Sequence, residues 1–420
     1  MKKIITSWLF LCVILSLSMT DTIFAASNMQ VSATKQPDDK VKVVWSSVEQ
    51  AAQYVVQLSV KDEKHYKTKA KISVKDDAVT TYEKELTKVN KTERYYIRVR
   101  ALDNNGDVME EDVIHFFNGD IVSASKQKYS YKDMKKDIEE LESKYADYVD
   151  VQIIGKTVDN RNIYDVLLGN PDAEKAVIFQ ASIHAREYMT SQLVMEQMEY
   201  YLDHYDEEYK EKTYRDIFDK VCVHVVAMSN PDGVTISQEG ISGIRKASLR
   251  KKLKKMYGAN RTKVWKANAR GVDLNRQFDY KFEYKIKKKY KKGAYALYGG
   301  KKPVSEKETK ALVKLVNDVK PKAVVNYHAM GNVIYCNYGG KKKVQKKVYK
   351  LAGEIRSLTG YYYMGLDKSP GFANWLVCKK KIPSCTVEIG RNTTPVPISQ
   401  FGTVWKQNKE VMVATARLYY

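Results

Sequence analysis

Apolar positions along this chain change their period once. From residue 28 to 118 they alternate with polar ones: Val41, Val43 and Trp45 set the pattern, and residues 54–58 and 95–100 repeat it. A period of two marks strands with one covered face. Pro37-Asp38-Asp39 and Asp103-Asn104-Asn105-Gly106 supply turns between them. Short, regularly spaced strands predict a small all-β sandwich. After Asn118-Gly119 the pattern alternates between types. Helical spacing covers 131–145, 305–319 and 343–358, while strands are predicted over 151–154, 163–168, 220–228, 323–327 and 384–389. Several of these strands are near-continuous apolar runs, which predicts burial on both sheet faces. Residues 127–420 therefore read as an α/β domain, a mixed central β-sheet flanked by helices.

The chain is organised around residues 176–203. An apolar run, 176–179, breaks into Gln180-Ala181-Ser182; His184-Ala185-Arg186-Glu187 then opens a helical pattern in which Leu193, Val194, Met198, Tyr201 and Leu202 share a face. An imidazole and a carboxylate three apart on a strand-to-helix turn are two zinc ligands, and a third from elsewhere leaves one position open for water. Spacing alone does not select this pair, because His204 and Glu207 repeat it in an acidic surface run with no strand before them. Of the six histidines, only His184 and His328 end strands beside plausible chemistry. His224 lies inside a strand and reads as a satisfied core residue; His65 and His115 take surface or core roles. Such a zinc site also needs a separate carboxylate to carry the proton. Glu388, in an apolar strand, is the candidate, with a buried lysine ion pair as the alternative. Between them, Asn275-Arg276 can grip a carboxylate, and Asp273 can orient a ligating histidine.

Charge alters the picture of partners. The formal net charge is +22 and lysine dominates the excess, which favours anionic partners such as acidic polymers or a cell envelope. No heptads, zinc knuckles or arginine-rich arms accompany it, so a nucleic-acid partner is not expected. The basic stretches 245–255 and 281–292 read as loops and solvated helix faces, with polyanion docking as the alternative. Residues 1–25 have the form of a secretory signal: Lys2-Lys3, an apolar stretch from Trp8 to Leu17, and Ala25-Ala26 as a cleavage site. A lipoprotein reading of Cys12 fails for want of a preceding small residue. No later run approaches ~20 apolar residues, so no membrane span is expected. The expected location is extracellular, with association to the cell wall as a further expectation. Cys222, Cys336, Cys378 and Cys385 show no metal or disulfide spacing and read as buried free thiols.

His184-Ala185-Arg186-Glu187-Tyr188-Met189-Thr190, the Asn230–Gly233 turn, Gly271 to Phe278, the strand ending in His328 and Thr386 to Gly390 occur together in this order. In this the chain resembles the zinc carboxypeptidases over about residues 127–420. The resemblance implies one zinc held by His184, Glu187 and His328, with Asp273 supporting His184. It implies that Asn275 and Arg276 hold the substrate's carboxylate, Arg186 lines the groove, and Glu388 is general base and acid. Lys266 stands where digestive members carry an oxyanion-stabilising arginine, and Leu366 falls near the place of their pocket-cap tyrosine. These traits, with Thr394-Pro395-Val396-Pro397-Ile398, are similar to the bacterial branch that cuts γ-D-glutamyl-diaminopimelate bonds, which implies a peptidoglycan stem-peptide substrate. A general carboxypeptidase and a non-catalytic wall-binding protein are the alternatives. Trp45-Ser46-Ser47-Val48 and Tyr96 to Ala101 give the first domain a likeness to a fibronectin type III module.

Overall fold

The computed structural model describes residues 29–36, 40–60, 64–76, 78–89, 94–117, 120–257, 262–282 and 292–420. The expected signal segment and most of the 281–292 basic stretch lie outside them. The chain divides into two compact units, 1–119 and 120–420.

The first unit holds two antiparallel sheets. One has the order β1-β2-β5, from Val31–Gln36, Lys40–Ser46 and Thr81–Leu86; the other is β4-β3-β6-β7, from Lys67–Ser73, Gln53–Ser59, Arg94–Leu102 and Val108–Phe117. Alternation is literal in β2, where Val41, Val43 and Trp45 are buried and the residues between them are half-buried. These side chains pack with Tyr54, Val56, Ile97 and Val99 from the facing sheet into one core.

The second unit is built on a mixed sheet. In chain order it runs α1 (Tyr131–Lys144), β8 (Val149–Lys156), β9 (Asn162–Leu168), β10 (Lys175–Gln180), α2 (Met189–Asp203), a hairpin of β11 (Glu208–Tyr209) and β12 (Lys212–Thr213), α3 (Tyr214–Lys220), β13 (Val221–Val226), α4 (Pro231–Glu239) and α5 (Ala247–Tyr257). It continues with α6 (Lys307–Val319), β14 (Ala323–His328), β15 (Val333–Tyr335), α7 (Lys342–Thr359), β16 (Tyr362–Tyr363), α8 (Phe372–Trp375), β17 (Ser384–Glu388), α9 (Phe401–Asn408) and α10 (Val411–Arg417). The sheet order is β16-β15-β17-β14-β10-β13-β9-β8. β10 lies parallel between β13 and β14, and β14 is parallel to β17. These central strands are the near-continuous apolar runs of the sequence, buried along their length in β13 and β14. Parallel strands put their C-terminal ends on one edge, which gathers His184, Asn230, His328 and Glu388 there.

Several expectations are refined. The helix after β10 begins at Met189, so His184 to Tyr188 form the turn before it. His224 is a satisfied core histidine, its Nδ1 2.7 Å from Asp165 Oδ2. His204 is half-buried, its ring tilted against that of Tyr200, with its Nδ1 against the Tyr200 carbonyl. The four cysteines are unpaired; three are buried and Cys378 is half-buried. No helix among the described residues is long and apolar enough to cross a membrane.

Glu308, in the first turn of α6, is fully buried and one carboxylate oxygen has no hydrogen-bond partner. Burial, aided by the charges of Asp232 and Glu306, pushes its carboxyl up to about 8. Below the unfolded value of about 4.3 both states are protonated; above it only the folded state keeps the proton, until pH passes about 8. Stability should therefore fall by at most about 1.4 kcal/mol per unit as pH rises through that window. Glu308→Gln should flatten this decline and stabilise the protein at pH 8 relative to pH 5, as read by urea midpoints. An unchanged pH dependence would refute the assignment.

Candidate metal centre and cleft

The chain leaves β10 through Ser182, whose φ of 47° lies in the left-handed region. Ser182 N–H donates to Thr190 Oγ1 (2.9 Å), and its hydroxyl donates to the Glu187 carbonyl (3.2 Å). The 183–188 turn is thereby closed on the start of α2. Asn230 braces it from outside: as N-cap of α4 it accepts from Gly233 N–H at 3.1 Å, and its Nδ2 donates to the carbonyls of Ile183 and Ala267. A Cβ on Gly233 would lie 2.5 Å from Ala267 O, so only glycine fits there. Ala185 N–H donates to the Lys266 carbonyl (3.1 Å), which ties the Lys266 strap to the same turn.

His184, Glu187 and His328 converge, with ligand atoms all within 4.8 Å of one another and all three residues buried. Glu187 Oε1 lies 2.9 Å from His184 Nδ1, and Oε2 lies 2.9 Å from His328 Nδ1. The two Nδ1 atoms face each other at 3.1 Å. His184 Nε2 is 3.3 Å from Asp273 Oδ1. That carboxylate accepts from the protonated Nε2 and leaves Nδ1 with its lone pair directed at the cluster. Asp273 is itself fixed, since Oδ1 accepts from Asn275 N–H and Oδ2 from Leu297 N–H. Burial raises both the Glu187 and the Asp273 carboxyls, but the neighbouring imidazoles outweigh it and hold both below the usual carboxylate range. Two imidazole nitrogens and an anionic carboxylate facing one point, buried and braced from behind, fit a zinc ion.

Glu388, Lys266, Asn275 and Arg276 line the same cleft as His184 and His328, with a volume of about 240 Å³. Glu388 pairs with His328 across β17 and β14, and Ile389 N–H donates to the His328 carbonyl (2.8 Å). Its carboxylate has no hydrogen-bond or ion-pair partner among the described residues, so the lysine ion pair considered from sequence is not formed. Burial and the Glu187 charge push it up to about 7, against the pull of His328, Lys266 and Arg186. Asn275 Oδ1 accepts from Phe372 N–H (2.9 Å), joining the 274–276 turn to the 371–375 segment. Arg276 makes no ion pair among the described residues. Arg186 does not line this cleft, and its Nε is buried without a partner.

Further wall residues escaped the sequence reading: Asn326, Tyr335, Asp367, Ser369 and Thr386. Two were within reach, because Asn326 and Thr386 precede His328 and Glu388 by two and share their sheet face. Asp367 lies in an irregular loop, its carboxylate accepting from the Ser369 N–H and hydroxyl at 2.8 Å. It has no cationic partner among the described residues. Asn326 Nδ2 donates to the Ser384 hydroxyl and the Cys385 carbonyl, while its Oδ1 is buried without a donor.

A family profile described as zinc carboxypeptidase matches residues 134–410. Gamma-D-glutamyl-L-diamino acid endopeptidase 1 of Lysinibacillus sphaericus is 27% identical over 291 residues, covering 69% of this chain and 72% of that one. Mast cell carboxypeptidase A of Mus musculus is 26% identical over 242 residues, covering 56% of this chain and 53% of the relative. Among solved structures, thrombin activatable fibrinolysis inhibitor shares the fold with a TM-score of 0.56 at 19% identity, over 71% of this chain and 77% of that one. The carboxypeptidase A of Helicoverpa armigera gives 0.52 at 15% identity, over 88% and 99%.

Proposed function

Because the chain belongs to the zinc carboxypeptidase family and is a zinc metallopeptidase, we propose that it cuts peptidoglycan stem peptides at the γ-D-glutamyl-diaminopimelate bond. The relative from Lysinibacillus sphaericus is named for cutting beside a diamino acid. The observation that carries the reading to this chain is Asp367. A diamino acid presents a second ammonium on its side chain, and the cleft offers that ammonium the Asp367 carboxylate, which has no cationic partner among the described residues. Ala373, on the same wall, carries no charge.

His184, Glu187 and His328 would hold zinc, which would polarise the scissile carbonyl and acidify a water toward ~7. Glu388 takes the proton of the attacking water and delivers it to the leaving amine. Its freedom from hydrogen-bond partners among the described residues leaves both oxygens available for that transfer. Lys266 places a compact positive charge on the cleft wall for the developing oxyanion. Arg276 and Asn275 hold the carboxylate of the residue beyond the cut, and Asp273 keeps His184 in its ligating tautomer. The apolar segment in residues 8–17 supports export, which would bring the enzyme to wall peptides; the net positive charge supports residence near an anionic envelope. Seven antiparallel strands in two sheets support a fibronectin type III-like reading of the first unit.

Incubation with the tripeptide L-alanyl-γ-D-glutamyl-meso-diaminopimelate should release free diaminopimelate, identified by mass. Faster turnover of an ordinary peptide ending in lysine would instead establish a general carboxypeptidase of basic specificity. Asp367→Asn should raise KM for the tripeptide by about 10- to 100-fold, the worth of a charge-assisted hydrogen bond, with kcat little changed. An unaltered KM would remove Asp367 from substrate recognition.

A further inference from the structure

We propose that α5 and the cleft beside it form a docking site for a flexible phosphate-bearing polymer. The inference does not rest on the substrate assigned above. α5 carries no acidic residue, and Lys251, Lys252, Lys254 and Lys255 are all exposed. None of the four makes an ion pair among the described residues. Arg250 with Lys254, and Lys251 with Lys255, are like-charge pairs one turn apart, each mildly destabilising the helix. A bound polyanion would turn that repulsion into attraction.

The helix is held by its other face. Leu249 and Leu253 pack with Ala185, Trp265 and Ala267 in one buried cluster. Those residues flank His184 and Lys266, so a chain held on α5 lies beside the elements that build the catalytic cleft. Next to the helix is a second cleft of about 520 Å³, with Lys246, Ser248, Lys252 and Arg270 on its wall. Lys246 Nζ donates to the Val158 carbonyl at 2.6 Å, which fixes its position. Arg270 approaches Glu306 with Nε at 3.4 Å, yet its side chain stays 55% exposed. Three cations and a hydroxyl around one concavity offer a seat for a phosphate group. The exposed lysines along α5 extend the site for its neighbours on the same chain.

The chemistry selects the ligand. Among the described residues no aromatic side chain lines this cleft, so they offer no platform on which single-stranded bases stack. Lysine binds phosphate as a point charge, and the half-free Arg270 guanidinium adds a planar fork that matches phosphate oxygens.

The test uses the full-length zinc-loaded protein and fluorescent inorganic polyphosphate, titrated at several salt concentrations. Binding should weaken linearly in log affinity against log salt. Replacing Lys251, Lys252, Lys254 and Lys255 by Gln should weaken it at least tenfold and make the slope shallower by about 3. Hydrolysis of a short peptide should remain at the wild-type rate. Replacing Lys342, Lys343, Lys346 and Lys347 of α7 by Gln is the control for net charge. Equal loss in that control, or no loss in the α5 variant, would overturn the site. Polyglutamate or single-stranded DNA binding as tightly as polyphosphate would overturn the choice of ligand.

Discussion

Glu388→Gln is expected to lower kcat by about three orders of magnitude while zinc content and KM stay near wild type. The amide keeps the shape of the carboxyl at the end of β17, so the backbone pairing with His328 is undisturbed. What it loses is the capacity to accept a proton from water and return it to the leaving amine, a function worth about 10²- to 10⁴-fold. A thousandfold loss corresponds to about 4 kcal/mol of transition-state stabilisation. The pH profile gives an independent reading. Burial and the Glu187 charge push the Glu388 carboxyl up to about 7. A divalent cation beside it opposes that rise, so the acidic limb of kcat/KM in the loaded enzyme should fall below 7. Below that limb the base is protonated and activity should drop tenfold per pH unit. The residual activity of Glu388→Gln should lack the limb. A variant that turns over within tenfold of wild type would assign the proton transfer to another group.

How much of this centre is legible in the sequence depends on regularity. His328 and Glu388 end strands whose apolar runs announce burial, and neighbouring parallel strands bring their ends together; those positions follow from pattern. His184-x-x-Glu187 shares its spacing with His204-x-x-Glu207, and only the preceding strand distinguishes them. In the fold that difference becomes physical: the first pair is buried and braced by Asn230 and Asp273, while His204 is half-buried against Tyr200 and Glu207 is exposed. The helical pattern overshot at its start, because periodicity in 193–202 says nothing about hydrogen bonds that Ser182 and Thr190 make to close the turn. Asp367 was out of reach for a different reason. It lies between β16 and α8 in a loop with no period, and its place on the cleft wall depends on Asp367 N–H meeting the Asn337 carbonyl and Asn374 donating to the Asp367 carbonyl. Neither contact has a signature in local composition.

The second large effect is expected at Glu187. Its carboxylate touches both imidazoles, and Oε2 also accepts from Ala329 N–H at 3.3 Å. In Glu187→Gln an amide N–H₂ faces an imidazole lone pair, so the histidines would satisfy each other through the amide instead of a cation. The negative charge in the ligand set is lost as well. Zinc affinity should fall well beyond the about 10- to 100-fold typical of an outer supporting residue, which sets the scale for Asp273→Asn as the milder comparison. Stability supplies the readout that activity alone cannot. Zinc at about a thousand times its Kd stabilises the folded wild type by about 4 kcal/mol, and chelation should lower the melting temperature by roughly 10 °C. Glu187→Gln should melt at one temperature with or without chelator, and should emerge from dialysis without metal. Glu187→Asp, which keeps the charge but shortens the reach, should recover part of the zinc-dependent shift. A Gln variant that retains one zinc per chain and the full shift would remove Glu187 from the ligand set. It would leave the two histidines holding the ion with some other donor. His204→Ala, the matching change in the decoy pair, should alter neither zinc content nor the chelator shift, because its Nδ1 is already committed to the Tyr200 carbonyl.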